Sequence, residues 1–397
     1  MIRLRESRFR RVDHTARTWK GRVALGSMVL ASLSGGVAQA QDSGASIGFD
    51  PIAVYSIQRP VQPQSTADAA LMRAKPRLSH MVMTGAATRP WRIAFLFPHL
   101  KDPYWVGCSY GVMTEARRLG VAVDILAADG YNDLFGQLRA MDDAIAARYD
   151  AIVISPIGLS TNNASIAKAR AAGIPVFELA NDSTSDDLTT KVTTSLLAMG
   201  LDATQWVIRD AQKRGLQSVN IALLPGPAGA GWVKGEVEGT NLAVKTAPIA
   251  VNIVDIRYGD SDRIEQSRLA AQILAQHGKG LDYLIGCTGC APAARLPLTE
   301  MGLSKTVRIV AYDLTREIAS LIRTGDIYAA ADTKGVSQAR VAINSVVNHL
   351  EGRTKSPPHT VLVQLGLVDQ QSIASYPLET SIAPEGYVPV LSYKPPR

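Results

Sequence analysis

Two adjacent aromatics, Tyr104 and Trp105, follow Asp102-Pro103 at the end of an apolar run. Large π-faces placed between elements line ligand pockets, where hydrophobic walls surround a few orienting polar groups. Tyr131, in Asp129-Gly130-Tyr131, and Trp232, at the end of a glycine-rich loop, belong to the same class. A loop has little structural use for a large aromatic. The polar residues at comparable positions are Ser155, Asn181, Asp182, Thr288, Asp313, Asp332 and Thr333. For any one of them a turn or cap is the plain alternative, since Asn, Asp and Ser favour turns with or without a ligand. The candidate ligand contacts are Tyr104, Trp105, Tyr131, Asn181, Trp232, Asp313 and Asp332.

Catalytic constellations are missing. The six histidines, His14, His80, His99, His277, His349 and His359, never pair within a helical turn, so no zinc motif forms. No G-x-S-x-G elbow occurs. The loop Pro225–Trp232, PGPAGAGW, follows a strand and opens a helix but matches neither phosphate-binding glycine pattern. A close backbone approach to a ligand or a second lobe is its expected use. Cys287-Thr-Gly-Cys290 raises a redox pair, because a helix N-terminus lowers a thiol pKa. A thioredoxin-like motif belongs on the first strand of its unit, however, and this one falls deep in the chain. A local disulfide, or two small loop residues in an oxidising compartment, is the favoured reading. Cys108 reads as buried and inert. Neither an enzyme, a metal site nor a cofactor is expected.

The elements that must position these residues alternate. Strands are expected at Arg92–Phe97, Ala122–Ala127, Ala151–Ser155, Pro175–Leu179, Val219–Leu224, Val251–Ile256, Tyr283–Gly286, Arg308–Tyr312 and Ile327–Asp332. Helices fall between or after them near Tyr104–Leu119, Asp133–Ala147, Ser165–Ala172, Leu196–Lys213, Gly231–Val244, Ser261–His277, Pro292–Met301, Arg316–Arg323 and Gly335–Leu350. Asp102 is the expected N-cap of the first of these, with Pro103 at its first position and Val106, Met113 and Leu119 facing inward. Buried strands alternating with helices predict α/β architecture, with parallel sheets covered on both faces. The series looks duplicated, which predicts two similar doubly wound lobes with a ligand cleft between them, at the strands' C-terminal ends.

The chain divides into a signal peptide (1–40), an irregular arm (41–90), an N-terminal lobe (91–194 plus 334–355) and a C-terminal lobe with tail (195–333 plus 356–397). Within the arm only Ile52–Ile57 suggests a strand. The leader carries Arg3, Arg5, Arg8, Arg10, Arg11, Arg17, Lys20 and Arg22, then the apolar run Val23–Val37, then Ala38-Gln39-Ala40. That order is a secretory signal, and the run is short for a membrane span of roughly twenty residues. The leader's eight basic and two acidic residues leave about +1 of the chain's +7 to the mature part. The basic balance therefore says nothing about nucleic acid, and neither nucleic-acid binding nor membrane insertion of the mature chain is expected.

The segment LKDPYWVGCSYGV with EARRLGV after it resembles the TorT-like branch of the type I periplasmic binding proteins. These are relatives of ribose-binding protein and of the LacI repressor core. The likeness continues through Ala127–Tyr131, Leu224-Pro-Gly-Pro, Val237-Glu-Gly239, Val254-Asp-Ile256 and Ser381–Tyr393, and spans nearly all of 91–395. It implies a non-enzymatic periplasmic sensor of trimethylamine N-oxide or a related methylated amine. The implied partner is the periplasmic domain of a TorS-like histidine kinase. Tyr104, Trp105 and Tyr131 match the branch's aromatic positions, where ring faces attract a methylated ammonium and a Tyr hydroxyl or indole donates to the oxygen. The chain departs at Ser195-Leu196-Leu197, where the branch carries a Trp. It departs again at Tyr312-Asp313-Leu314, the form sugar-binding relatives use to hold hydroxyls. The second reading is a substrate-binding protein of an ABC transporter for a sugar or similar small polar solute. A thiol oxidoreductase rests on the cysteine pair alone.

Overall fold

The computed structural model describes residues 51–59 and 62–396. The leader expected over 1–40 lies outside them. Among the described residues, fifteen strands form two sheets. In chain order they are β1 (Ile52–Ile57), β2 (Leu78–Met81), β3 (Arg92–Phe97), β4 (Ala122–Ala127), β5 (Ala151–Ile154), β6 (Val176–Leu179) and β7 (Thr190–Thr193). There follow β8 (Ser218–Gly226), β9 (Ala250–Tyr258), β10 (Tyr283–Gly286), β11 (Arg308–Ala311), β12 (Ala329–Asp332), β13 (Thr360–Val363), β14 (Gly366–Asp369) and β15 (Ser392–Tyr393). The nine-stranded sheet runs β15-β4-β3-β5-β6-β7-β13-β1-β2, and the six-stranded one β14-β12-β11-β10-β8-β9. Both are parallel at the centre. Antiparallel pairs close the first sheet at β15/β4, β13/β1 and β1/β2 and the second at β14/β12.

The helices that concern the site are α1 (Ala67–Ala74), α2 (Pro103–Leu119), α3 (Leu134–Ala146), α4 (Asn163–Ala171), α5 (Leu196–Lys213) and α6 (Gly231–Lys245). The later ones are α7 (Arg263–His277), α8 (Cys290–Ala293), α9 (Arg295–Glu300), α10 (Arg316–Thr324) and α11 (Gly335–Leu350). Central strands such as β3 (RIAFLF) are buried along almost their whole length because helices cover both faces.

The chain passes between the sheets at 194–195, at 333–334 and again between β13 and β14, and the tail returns to the first sheet as β15. Beyond the expected boundary at 355/356, Thr360–Val363 pairs with β7 in the first sheet. Within the expected arm, the described residues 51–59 and 62–90 hold regular elements. β1 and β2 extend the first sheet, and α1 is capped by Thr66, whose side chain accepts from the Ala69 amide. Their strand partners lie some 300 residues downstream for β1, so local periodicity carries little trace of the pairing.

Where two helices meet closely, glycine decides. A Cβ on Gly111 of α2 would come within 2.6 Å of the Val336 carbonyl of α11. One on Gly239 of α6 would collide with the Leu197 carbonyl of α5. Gly111 lets α11 lie against α2 in the first lobe, and Gly239 lets α6 lie against α5 in the second.

Candidate ligand-binding site

Asp102 caps α2 as the sequence suggests, accepting the Tyr104 amide at 2.8 Å, with Pro103 at the helix start. This cap sets the register of the first turn and therefore the direction of both aromatics. Trp105 turns inward among Phe97, Cys108 and Val112, at 5.1 Å between ring centroids from Phe97, and is 2% exposed. Val106, expected to face inward, stays half-buried, because Trp105, Cys108 and Val112 occupy the core-facing stripe. Tyr104 stands edge-on to Trp105 at 5.1 Å. Tyr131 lies in the loop after β4, accepts from Asn181 Nδ2 at 3.2 Å, and meets Trp232 of the second lobe at 5.8 Å between centroids.

These residues enclose one interlobe cavity. Tyr104, Trp105, Tyr131 and Asn181 come from the first lobe, and Trp232 and Asp313 from the second. Six of the seven sequence candidates therefore converge. Asp332 does not line the cavity. Its two oxygens are taken by Tyr376 and Ser381 of the tail, at 2.6 Å each, so it anchors the tail beside the hinge. Thr288 and Thr333, both strand-end residues, line the wall, whereas Asp182 is bound in an ion pair with buried Lys191.

Glu236 and Gln338 also line the cavity and were not singled out from the sequence, because both lie inside helices. The available signal was periodicity. Val233, Glu236, Thr240 and Ala243 form the buried stripe of α6, and a carboxylate within such a stripe needs a reason. Gln338 donates to the Thr333 carbonyl at 2.6 Å and to the Tyr104 hydroxyl at 3.4 Å, which ties the hinge to the aromatic pair.

The electrostatics are one-sided. Asp102, Glu236 and Asp313 face the cavity, and among the described residues no Lys, Arg or His lines it. Asp313 accepts the amides of Leu314 and Thr333 and the Thr333 hydroxyl, at 2.7–2.8 Å. Burial and the neighbouring Asp332 nonetheless raise its pKa to about 8. Burial also lifts the Glu236 carboxyl well above the ordinary range, with Asp313 adding to the effect. The Tyr131 phenol is raised by burial, although Asn181, Trp105 and Trp232 around its hydroxyl oppose this. The cavity is small, about 60 Å³, and takes a guest of only a few heavy atoms.

A second contact closes the cleft beside the cavity. The Thr288 hydroxyl, in the loop after β10, donates to Asp102 Oδ2 at 2.6 Å across the two lobes. Thr288 sits inside the four-residue loop bridged by the Cys287–Cys290 disulfide, so the disulfide form of that motif is the one realised. Cys108 is a buried free thiol whose pKa is raised by burial. At the mouth, Asn132 Nδ2 donates to Asp260 Oδ2 at 3.1 Å, again lobe to lobe.

A family model for the periplasmic binding protein domain matches residues 93–354. The chain belongs to the periplasmic binding protein family. It is 30% identical over 313 residues to the periplasmic protein TorT of Escherichia coli (strain K12), covering 78% of this chain and 86% of that one. It is also similar to an ABC transporter solute binding protein from Bradyrhizobium sp. BTAi1 solved with bound Bis-Tris. That match has 31% identity and a TM-score of 0.71 over 86% of this chain and 98% of the other. The TorS sensor domain–TorT complex solved without ligand shares the fold, at 22% identity and a TM-score of 0.67, over 76% of this chain and 99% of that chain. This periplasmic binding protein accordingly has two mostly parallel α/β lobes, and no helix among the described residues is long and apolar enough to cross a membrane.

Proposed function

We propose that this binding protein is a non-catalytic receptor for a small methylated amine, with trimethylamine N-oxide the leading candidate, exported by cleavage near Ala40. Ligand closes the lobes and thereby changes affinity for the periplasmic domain of a TorS-like histidine kinase. One observation carries the reading. A cavity of a few heavy atoms is walled by Tyr104, Trp105, Tyr131 and Trp232, with carboxyls and, among the described residues, no cationic side chain. Ring faces attract a methylated, positively charged nitrogen by roughly 0.5–2 kcal/mol each. The hydroxyls of Tyr104 and Tyr131 supply donors for an oxygen on that nitrogen. The TorT relative, and the TorS sensor domain seen with TorT, support the partner class.

The ABC-transport reading has its own support. Asp313, held by three donors, is an orienting acceptor for hydroxyls, and the Bradyrhizobium relative carries Bis-Tris, a hydroxylated amine. Calorimetry of the mature chain against trimethylamine N-oxide and a sugar panel separates the two. Tight binding of a sugar and none of the N-oxide would overturn the sensor reading.

A further inference from the structure

Glu236 lies one turn after Trp232 on α6, is 2% exposed and lines the cavity. Its Oε2 has no hydrogen-bond partner among the described residues. The groups that face it are known from every side. Asp313 and Tyr312 approach from the end of β11. Asp102, across the cavity on the first lobe, is already engaged by Tyr104 and Thr288. On its own helix Lys234 and Glu238 point to solvent and pair with each other. From α5, Gly200 packs against the Glu236 backbone and brings no charge. A carboxyl buried with no cation and no donor, and with a second carboxyl nearby, is held in its neutral form. In that form its hydroxyl is a donor rather than an acceptor.

We propose that Glu236 is a neutral carboxylic acid in this site and donates its O–H to an acceptor oxygen of the ligand. The preferred class is then a net-uncharged methylated amine oxide rather than a simple ammonium ion. This deepens the receptor reading and rests on it. An amine oxide carries its negative charge on oxygen, which makes an O–H···O⁻ bond about twice as strong as a neutral one. Its positive nitrogen and methyl groups then face the rings of Trp105, Tyr131 and Trp232. A bare ammonium offers the acid no acceptor. To hold one, Glu236 would have to ionise beside Asp313.

The test uses the full mature chain, trimethylamine N-oxide and tetramethylammonium, with E236Q and E236L checked for folding by their melting temperatures. Glutamine keeps the shape and an N–H donor at the same place. E236Q should bind the N-oxide within about threefold of wild type at pH 7, whereas E236L should lose at least about tenfold, the worth of one charge-assisted hydrogen bond. Wild type should bind tetramethylammonium more weakly than the N-oxide. The infrared difference spectrum of ligand-free wild type minus E236Q at pH 7 should contain the C=O stretch of a protonated carboxyl, with the Asp313 contribution cancelling. The proposal falls if that band is absent, if E236Q loses as much affinity as E236L, or if tetramethylammonium binds more tightly. A wild type that binds no N-oxide at all overturns the receptor reading together with this one. The other failures overturn this proposal alone.

Discussion

Thr288→Val removes a single hydroxyl from the interlobe contact and leaves the side-chain shape. Asp102 keeps its Oδ1 bond to the Tyr104 amide at 2.8 Å, so the α2 cap and the aromatic pair stay in place. The bond lost is the 2.6 Å donation to Asp102 Oδ2. A hydrogen bond to a charged group is worth about 1.5–3 kcal/mol. Asp102 is half-buried, so water re-solvates part of the freed oxygen and the low end applies. The contact joins residues of opposite lobes, so under the proposed hinge closure it belongs to the closed state. Its loss therefore lowers the closed population, and the apparent dissociation constant rises in proportion, by roughly tenfold for about 1.4 kcal/mol. Calorimetric titration of wild type, Thr288→Val, Asp102→Asn and the double variant completes a cycle whose coupling term isolates the bond. The reasoning is refuted if Thr288→Val binds within twofold of wild type. It is refuted equally if the whole effect appears as a lower melting temperature of ligand-free protein, because the contact would then not depend on closure.

Trp105→Ala should lower stability by about 3–5 kcal/mol as well as weaken binding, because the ring fills the first lobe's core against Phe97; denaturant unfolding measures it. Gly239→Ala should push α6 off α5 and displace Trp232 and Glu236 together, lowering both melting temperature and affinity. Glu351 accepts from Trp91 Nε1, the Thr88 amide and the Thr88 hydroxyl, which hold its pKa at about 2. Its folded pKa lies below the unfolded one, so its contribution is complete above about pH 4.5 and is lost as pH falls toward 2. Glu351→Gln should then narrow the gap to wild type on acid titration of the melting temperature, and parallel profiles would contradict this. Asp313 is the opposite case, with a pKa raised to about 8, so the folded state binds its proton more tightly. Its cost grows as pH rises from about 4 to 8, and Asp313→Asn should gain on wild type over that window.

The alternation of β3, β4 and β10 with α5 and α11 was legible to the residue, because each is a long or uniformly apolar run closed by a cap or turn signal. β13, β14 and β15 were not. They are four residues or fewer, and their pairing depends on β7, β12 and β4, far away along the chain. β7, TKVT, reads as polar, yet all four residues are buried, with the Lys191 ammonium neutralised by Asp182 and the Thr193 hydroxyl given to the Ala180 carbonyl. For the site, the strand-end rule located Tyr104, Trp105, Tyr131, Asn181, Trp232 and Asp313. It passed over Glu236 and Gln338, which reach the cavity from helix interiors, and it included Asp332, whose position on a strand end serves the tail.

Neither lobe holds a complete cage, so under the proposed function binding and lobe closure are coupled. The first lobe contributes Tyr104, Trp105 and Tyr131 to the cavity wall and the second contributes Trp232, Glu236 and Asp313, so a guest touches all six only with the lobes together. A ligand shifts the open–closed equilibrium by its differential contact energy alone. One added ring face supplies about 0.5–2 kcal/mol, and one charge-assisted hydrogen bond about 1.5–3 kcal/mol. Together these approach the roughly 5.5 kcal/mol that converts a mostly open protein into a mostly closed one. The Thr288–Asp102 and Asn132–Asp260 bonds join the lobes through protein groups alone, so they lower the amount a ligand must supply. Strengthening them would close the empty protein and mute the response. Removing them would cost affinity while leaving the ligand's differential contacts intact, and a partner that reads closure would respond at higher ligand concentration but to the same extent.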